Sequence, residues 1–322
     1  MDSVRWAMIA VAVDLLACGT AAAQQRSPAE RTATVQQAPT APQSAPASGA
    51  VVTHAAGPSA DPIIVTGRPL PPKEAIKSLS RAITPYVSDG PLPRFNVSVC
   101  FGTAGLPRRT LEHIGYRLAL DAELAGLKLA GDRCTPNVYV LFVDGVGDQV
   151  AALVRRKWWV FGDRSPSEIR EIVREPGPVR AWSNSEVRGA DGQPIGPDGI
   201  LRIPIATRIA PSIRRDTLAA IVLIERAAVV GKAPSQIGDY VAMRALGGVH
   251  PPRAGSPETI LSLFDAGSGP APVEMTAFDR GYLRGLYAQR DTEFAGITQG
   301  RITRSIVKAK SEEQAQVSRQ AP

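Results

Sequence analysis

The chain is short of the residues that most often do chemistry. Its 322 residues include 3 His and 3 Cys. The histidines, His54, His113 and His250, share no spacing that would bring two onto one helical face. His113 reads as a boundary residue of an amphipathic segment and His250 as a loop residue. Two cysteines without histidine partners do not make a zinc site, so no metal and no cofactor is expected. There is no phosphate loop ending in Gly-Lys-Ser/Thr and no Gly-x-Ser-x-Gly nucleophile elbow. No internal stretch reaches the roughly 18 uninterrupted apolar residues that a membrane span needs. Aromatic residues are all but missing from the first quarter: of 4 Trp, 6 Tyr and 7 Phe, only Trp6 lies outside the stretch from Tyr86 to Phe294. The packable chain is therefore shorter than its length, and one domain is the expected count.

What is present begins with an address. Arg5 opens an apolar run from Trp6 to Ala17, and Ala21-Ala22-Ala23 supplies small residues before Gln24. This is an export signal over residues 1–23, opposed only by Asp14 within the apolar run. A second reading uses Leu15-Leu16-Ala17-Cys18, which resembles a bacterial lipoprotein box and would anchor the chain by lipid at Cys18. Leu16 departs from that box. Either reading puts the mature chain outside the cytoplasm, in the periplasm or secreted. Once Cys18 is removed or lipidated, Cys100 and Cys134 remain as an even pair in an oxidising compartment. A bridge between them is expected, worth roughly 3 kcal/mol by loop closure. Free thiols are the alternative.

From Gln24 to Ala60, 28 of 37 residues are Ala, Pro, Gln, Ser or Thr. Such a segment cannot bury enough apolar area to offset its ordering entropy, and reads as a disordered linker. A body over 61–307 follows, then a polar, fraying tail over 308–322. The net charge of +7 is spread thinly. Arg108-Arg109, Arg155-Arg156-Lys157 and Arg214-Arg215 are short, separated clusters without the interleaved aromatics of a nucleic-acid stacking platform. No nucleic-acid partner is expected. Solvated surface charge is one meaning of the excess, and a basic face toward anionic lipid head groups or wall polymers is another.

Within the body, Arg94 to Phe101 alternates apolar and polar residues as a half-buried strand does. Pro107 opens a helix whose stripe is Leu111, Ile114, Leu118, Ala122 and Ala125. Val138 to Val143 is an unbroken β-rich run, as in a strand covered on both faces. Strand, helix, strand predicts a parallel unit. A helix is expected from Asp148 to Val160, then a broken region, strands at Pro178 to Val187, Ile200 to Ile205 and Leu218 to Ile224, and a helix from Gln236 to Leu246 capped by Ser235. A last helix starts after Thr276. The fold class is α/β: a mixed sheet with packed helices in a single domain. Gly145-Val146-Gly147-Asp148-Gln149-Val150 imitates a dinucleotide loop, but Val150 stands where the third glycine belongs, so a plain turn into a helix is the better reading. Asp144, Asp148 and Asp163 lack the spacing of a calcium loop.

The order of elements from Arg94 onward, ending in the helix Ser235-Gln236-Ile237-Gly238-Asp239-Tyr240-Val241-Ala242-Met243-Arg244-Ala245-Leu246, resembles the N-terminal half of a zincin-type metallopeptidase. Glu258 to Asp265, Met275-Thr276-Ala277-Phe278-Asp279-Arg280 and Leu283-Arg284-Gly285-Leu286-Tyr287 are similar to the closing segment of metzincins. They are closer still to a proteobacterial family of unknown function with many lipoprotein-like members. The resemblance spans about 200 residues. It departs from the peptidase pattern where catalysis resides. With the His-Glu-x-x-His motif laid on Gln236, Ile237 falls at the glutamate and Tyr240 at the second histidine. No catalytic residue carries over, and Asp279 carries over only as a structural acid at a helix start. The resemblance implies a non-catalytic domain that binds a peptide or envelope partner in the former active-site groove. The alternatives are a hydrolase with a divergent site using Asp239, Tyr240 or His250, and a purely structural envelope protein. Separately, Asp61-Pro62-Ile63-Ile64-Val65-Thr66-Gly67-Arg68 resembles the box by which outer-membrane receptors meet the energy-coupling protein TonB, or is an ordinary first strand of the body.

Overall fold

The computed structural model describes residues 71–87, 90–196, 212–253, 255–265, 267, 269–288 and 291–320. The expected signal, linker, Cys18, His54, the Asp61 to Arg68 box and the Ile200 to Ile205 strand lie outside them. Seven helices surround one mixed sheet: α1 (Lys73–Ile83), α2 (Arg108–Leu124), α3 (Val146–Arg156), α4 (Pro166–Arg174), α5 (Pro234–Leu246), α6 (Ala277–Tyr287) and α7 (Ala295–Gln320). The strands β1 (Phe101–Ala104), β2 (Val138–Val143), β3 (Val179–Gly189) and β4 (Ile213–Glu225) lie in the order β1-β2-β4-β3. β1 and β4 pair with β2 in parallel, and β3 pairs with β4 antiparallel. The α/β single-domain class follows from this arrangement.

The sheet is covered on both faces because its central strands alternate between two cores. Val138, Val140 and Phe142 of β2 join Ala220, Val222 and Ile224 of β4 against α2, α5, α6 and α7. Tyr139, Leu141 and Val143 join Ala219, Ile221 and Leu223 against α3, α4 and Phe161. All six β2 residues are buried, as an unbroken β-rich run requires. Ile114, Leu118, Ala122 and Ala125 of the α2 stripe are likewise in the core. Cys100, immediately before β1, is disulfide-bonded to Cys134, with Cα atoms 6.1 Å apart, so the bridge ties the entries of two parallel strands.

Several expectations are corrected. Of the strand read over Arg94 to Phe101 only Phe101 belongs to β1, which runs on to Ala104, and Val97 is exposed. The chain changes partner there: Arg94 N donates to Arg215 O at 3.2 Å and Val99 N to Lys128 O at 2.9 Å, so no continuous ladder forms. The helix read to Val160 ends at Arg156, and a 3₁₀ turn over Trp158–Phe161 follows. Helix α4 lies in the region read as broken, where Ser165, Pro166 and Glu168 make a capping box whose sequence signal was present. Ala233, not Ser235, precedes the first residue of α5, because Pro234 takes the first helical position. The tail read as fraying is helical to Gln320. Ile302 and Ile306 are fully buried and Ala309 is 9% exposed, which docks α7 far enough along for Lys310 to reach Glu258 and Arg280 to reach Glu313 at 3.0 Å.

Candidate functional site

Helix α5 carries the residues that the peptidase resemblance singles out. It lies under the sheet against α2, and Gly238 makes the approach close: a Cβ there would meet Arg117 Cβ at 2.9 Å and Ile114 O at 3.3 Å. Every residue from Ile237 to Leu246 is buried. Gln236, Tyr240 and Arg244 recur at four-residue intervals and form one line along the helix.

Each member of that line is committed to the fold. Gln236 Nε2 donates to Pro272 O at 2.8 Å, and its Oε1 accepts from Ala233 N at 3.2 Å, which caps the helix it belongs to. The Tyr240 ring is 2% exposed and meets Phe264 edge to face at 4.8 Å. Burial pushes its phenol up to about 12, so it stays neutral beside Arg244. Arg244 Nη2 lies 2.6 Å from Glu175 Oε1, and that guanidinium side chain is 2% exposed. His250 sits beyond the helix on an exposed loop, where crowding of its ring and the Arg244 charge hold it below the ordinary imidazole value. Tyr240 therefore does not face an open groove, and the half-buried Gln236 has its amide engaged on both sides.

A neighbouring side of α5, about a quarter turn round, carries a second charged group. Asp239 is fully buried; it accepts from Arg117 Nε, from Arg117 Nη2 at 3.0 Å and from Met275 N. Asp121 of α2 is 1% exposed, neither of its oxygens accepts a hydrogen bond, and Arg117 Nε remains 3.8 Å away. Burial and the Asp239 carboxylate push Asp121 up to about 8. At neutral pH it keeps its proton against Asp239, and one guanidinium serves the pair. Nothing in the sequence spacing marked Asp121, because its role depends on α2 meeting α5. The structure thus points Asp239 and Tyr240 in different directions from the helix, while His250 and Tyr240 both feel the charge of Arg244.

Asp279 is where a structural acid is expected. It sits in the first turn of α6 and accepts from Thr276 N at 3.0 Å, Thr276 Oγ1 at 2.8 Å, Ile260 N at 2.8 Å and Thr259 Oγ1 at 2.5 Å. Burial pushes its carboxyl up, and these four donors oppose that rise. One carboxylate thereby joins α6 to the turn Ile260–Phe264.

The dinucleotide-like loop also has a protein partner. Gly145, at a φ of 65°, and Val146 donate their N–H groups to the Glu225 carboxylate at 3.0 and 2.8 Å. The start of α3 is occupied by an internal anion where a phosphate would otherwise sit. Asp144 pairs with Arg226 at 2.5 Å, while Asp148 and Asp163 are exposed. Among the described residues no three His, Cys, Asp or Glu side chains are grouped so as to hold a metal ion, and no helix is long and apolar enough to cross a membrane. Comparison with protein-family models, with curated proteins and with solved structures finds no match to this chain.

Proposed function

We propose that the chain is an exported, non-catalytic envelope domain on a zincin-like frame, in which the helix that bears the metal site in a peptidase has become internal scaffold. Contacts with peptide or protein partners then belong to the outer surface rather than to the former groove. The observation that carries this reading is the Gln236-Tyr240-Arg244 line: Gln236 bonds Pro272 O and Ala233 N, the Tyr240 ring is 2% exposed, and Arg244 pairs with Glu175 in the interior. The element order also supports it: a strand, the long helix α2, a parallel strand, and an antiparallel pair leading into α5. The Cys100–Cys134 bridge suits an oxidising compartment.

β3 is an edge strand of the sheet, and pairing of a partner's strand along it is disfavoured. Arg180 Nη1 donates to Val179 O at 2.9 Å and Arg164 Nη2 to Ser183 O at 2.8 Å, so guanidinium groups cover carbonyls that an added strand would need. A divergent hydrolase would need Asp239, Tyr240 or His250 to meet at an accessible point; the burial of Asp239 and Tyr240 and the three donors already on Asp239 speak against it. Metal analysis of the purified chain, combined with peptidase assays with and without a chelator, tests the proposal. Substoichiometric zinc and no chelator-sensitive hydrolysis are expected. One zinc per chain together with an activity abolished by chelation would sink it.

A further inference from the structure

The basic cluster Arg155-Arg156-Lys157 runs directly into Trp158 and Trp159. Those indoles are 65% and 41% exposed. Two adjacent aromatic side chains of this size in water are unusual, since Trp is highly buried on average. Arg155 and Arg156 are also exposed, and neither has an ion pair with a described residue. Their place in the last turn of α3 gives them one structural role, offsetting the negative end of the helix dipole. That role does not account for the indoles.

The turn that presents the two indoles is held rigidly. Val160 and Phe161 are buried, and Phe161 stacks on Trp182 with ring centroids 4.9 Å apart. Val160 O accepts from Trp182 Nε1 and from Asn184 Nδ2, both at 3.0 Å. Gly162 leaves the turn at a φ of 63°, and a Cβ there would press on the Asn184 side chain at 3.0 Å. The indoles therefore project from a fixed base on the α3 and α4 face of the sheet, the face opposite α5, and little order remains to be lost on contact.

Indole rings favour the boundary between head groups and acyl chains, where an apolar body and a polar N–H are both accommodated. Guanidinium groups match phosphate oxygens, and an anionic leaflet attracts each nearby cation. We propose that Arg155, Arg156, Trp158 and Trp159 form a docking patch for an anionic lipid surface, with the indoles entering the head-group layer and the arginines pairing with lipid phosphates. The patch owes nothing to the sealed helix, so its test and the zinc test fail independently.

The purified full chain is mixed with vesicles of phosphatidylcholine alone, or of phosphatidylcholine with about one third phosphatidylglycerol, and followed by co-sedimentation and tryptophan emission. The anionic vesicles should be bound roughly tenfold more tightly, with a blue shift in emission, and less tightly at high salt. W158S/W159S and R155Q/R156Q should each lower partition by about tenfold while each variant still unfolds in one cooperative transition, with R155Q/R156Q losing only the small dipole contribution of its two charges. Equal partition of the native chain and W158S/W159S overturns the proposal. So does binding that ignores phosphatidylglycerol, or retention on a soluble anionic polysaccharide without retention on vesicles.

Discussion

At the scale of single residues, the buried carboxyl pair sets the sharpest expectation. Asp121 is raised to about 8 in the fold by burial and by Asp239, whereas in the unfolded chain it ionises near the ordinary aspartate value of about 4. Between those values the native state holds a proton that the unfolded state has lost. Stability from this group is therefore full in acid, falls as pH rises from about 4 to about 8, and is flat above that. Asp121→Asn keeps a donor toward Asp239 and removes the titration. Thermal melts of the variant should lose this component of pH dependence and exceed the native chain at pH 8; a variant that tracks the native curve at every pH would refute the shared proton. Asp279 supplies a second expectation. Asp279→Ala would strand the N–H groups of Ile260 and Thr276 and the hydroxyl of Thr259 in the interior, and a loss of about 3 kcal/mol in urea unfolding is expected. The helix start at Thr276 was legible from its own hydroxyl, whereas the Thr259 and Ile260 partners of Asp279 were not, being some twenty residues away. Asp121 was not, because its neighbour is distant in the chain.

At the scale of elements, the legible parts are those whose pattern is local. The β2 run, the α2 stripe and the Thr276 cap each carry their signal within a few residues, and each is where it was expected. The strand limits failed where tertiary pairing decides them, as at Arg94 and Val99, whose partners are β4 and the segment after α2. The α7 extension failed for a related reason: its polar surface hides a stripe that matters only once α6 is beside it. Gly281 and Gly285 make that contact. A Cβ at these positions would lie 2.5 Å from Ile306 Cα and 2.7 Å from Ile302 Cα. Gly281→Ala should force the helices apart and cost about 1–3 kcal/mol despite its better helix propensity. A denaturation midpoint equal to or above that of the native chain would show that α6 and α7 do not meet this closely.

At the scale of the molecule, the disulfide and the sealed helix act on different parts of the architecture. The bridge joins residues separated by 34 positions at the β1 and β2 entries, so replacing both cysteines by serine should lower stability by roughly 3 to 4 kcal/mol and leave the α5 contacts in place. Calorimetry with and without reductant provides the comparison; no change on reduction would mean that the bridge does not form. Fold class and the bridged pair could be read from residues alone. The sealing of α5 could not, because Glu175, Pro272 and Phe264 reach it from three separate segments.

One contact between chain-distant helices bears on how the molecule is made. Gln299 Nε2 of α7 donates to Ser80 Oγ of α1 at 2.9 Å, across a separation of 219 residues. The seat of the first described helix is thus completed only once α7 has been synthesised, after earlier contacts of its end with His250 and Tyr282. Any machinery that handles this protein from its N-terminus meets a polypeptide whose final docking partner has yet to emerge. Native docking of α1 against α7 therefore waits for residues 219 positions downstream, a contact whose loop-closure cost must be met before it rewards folding.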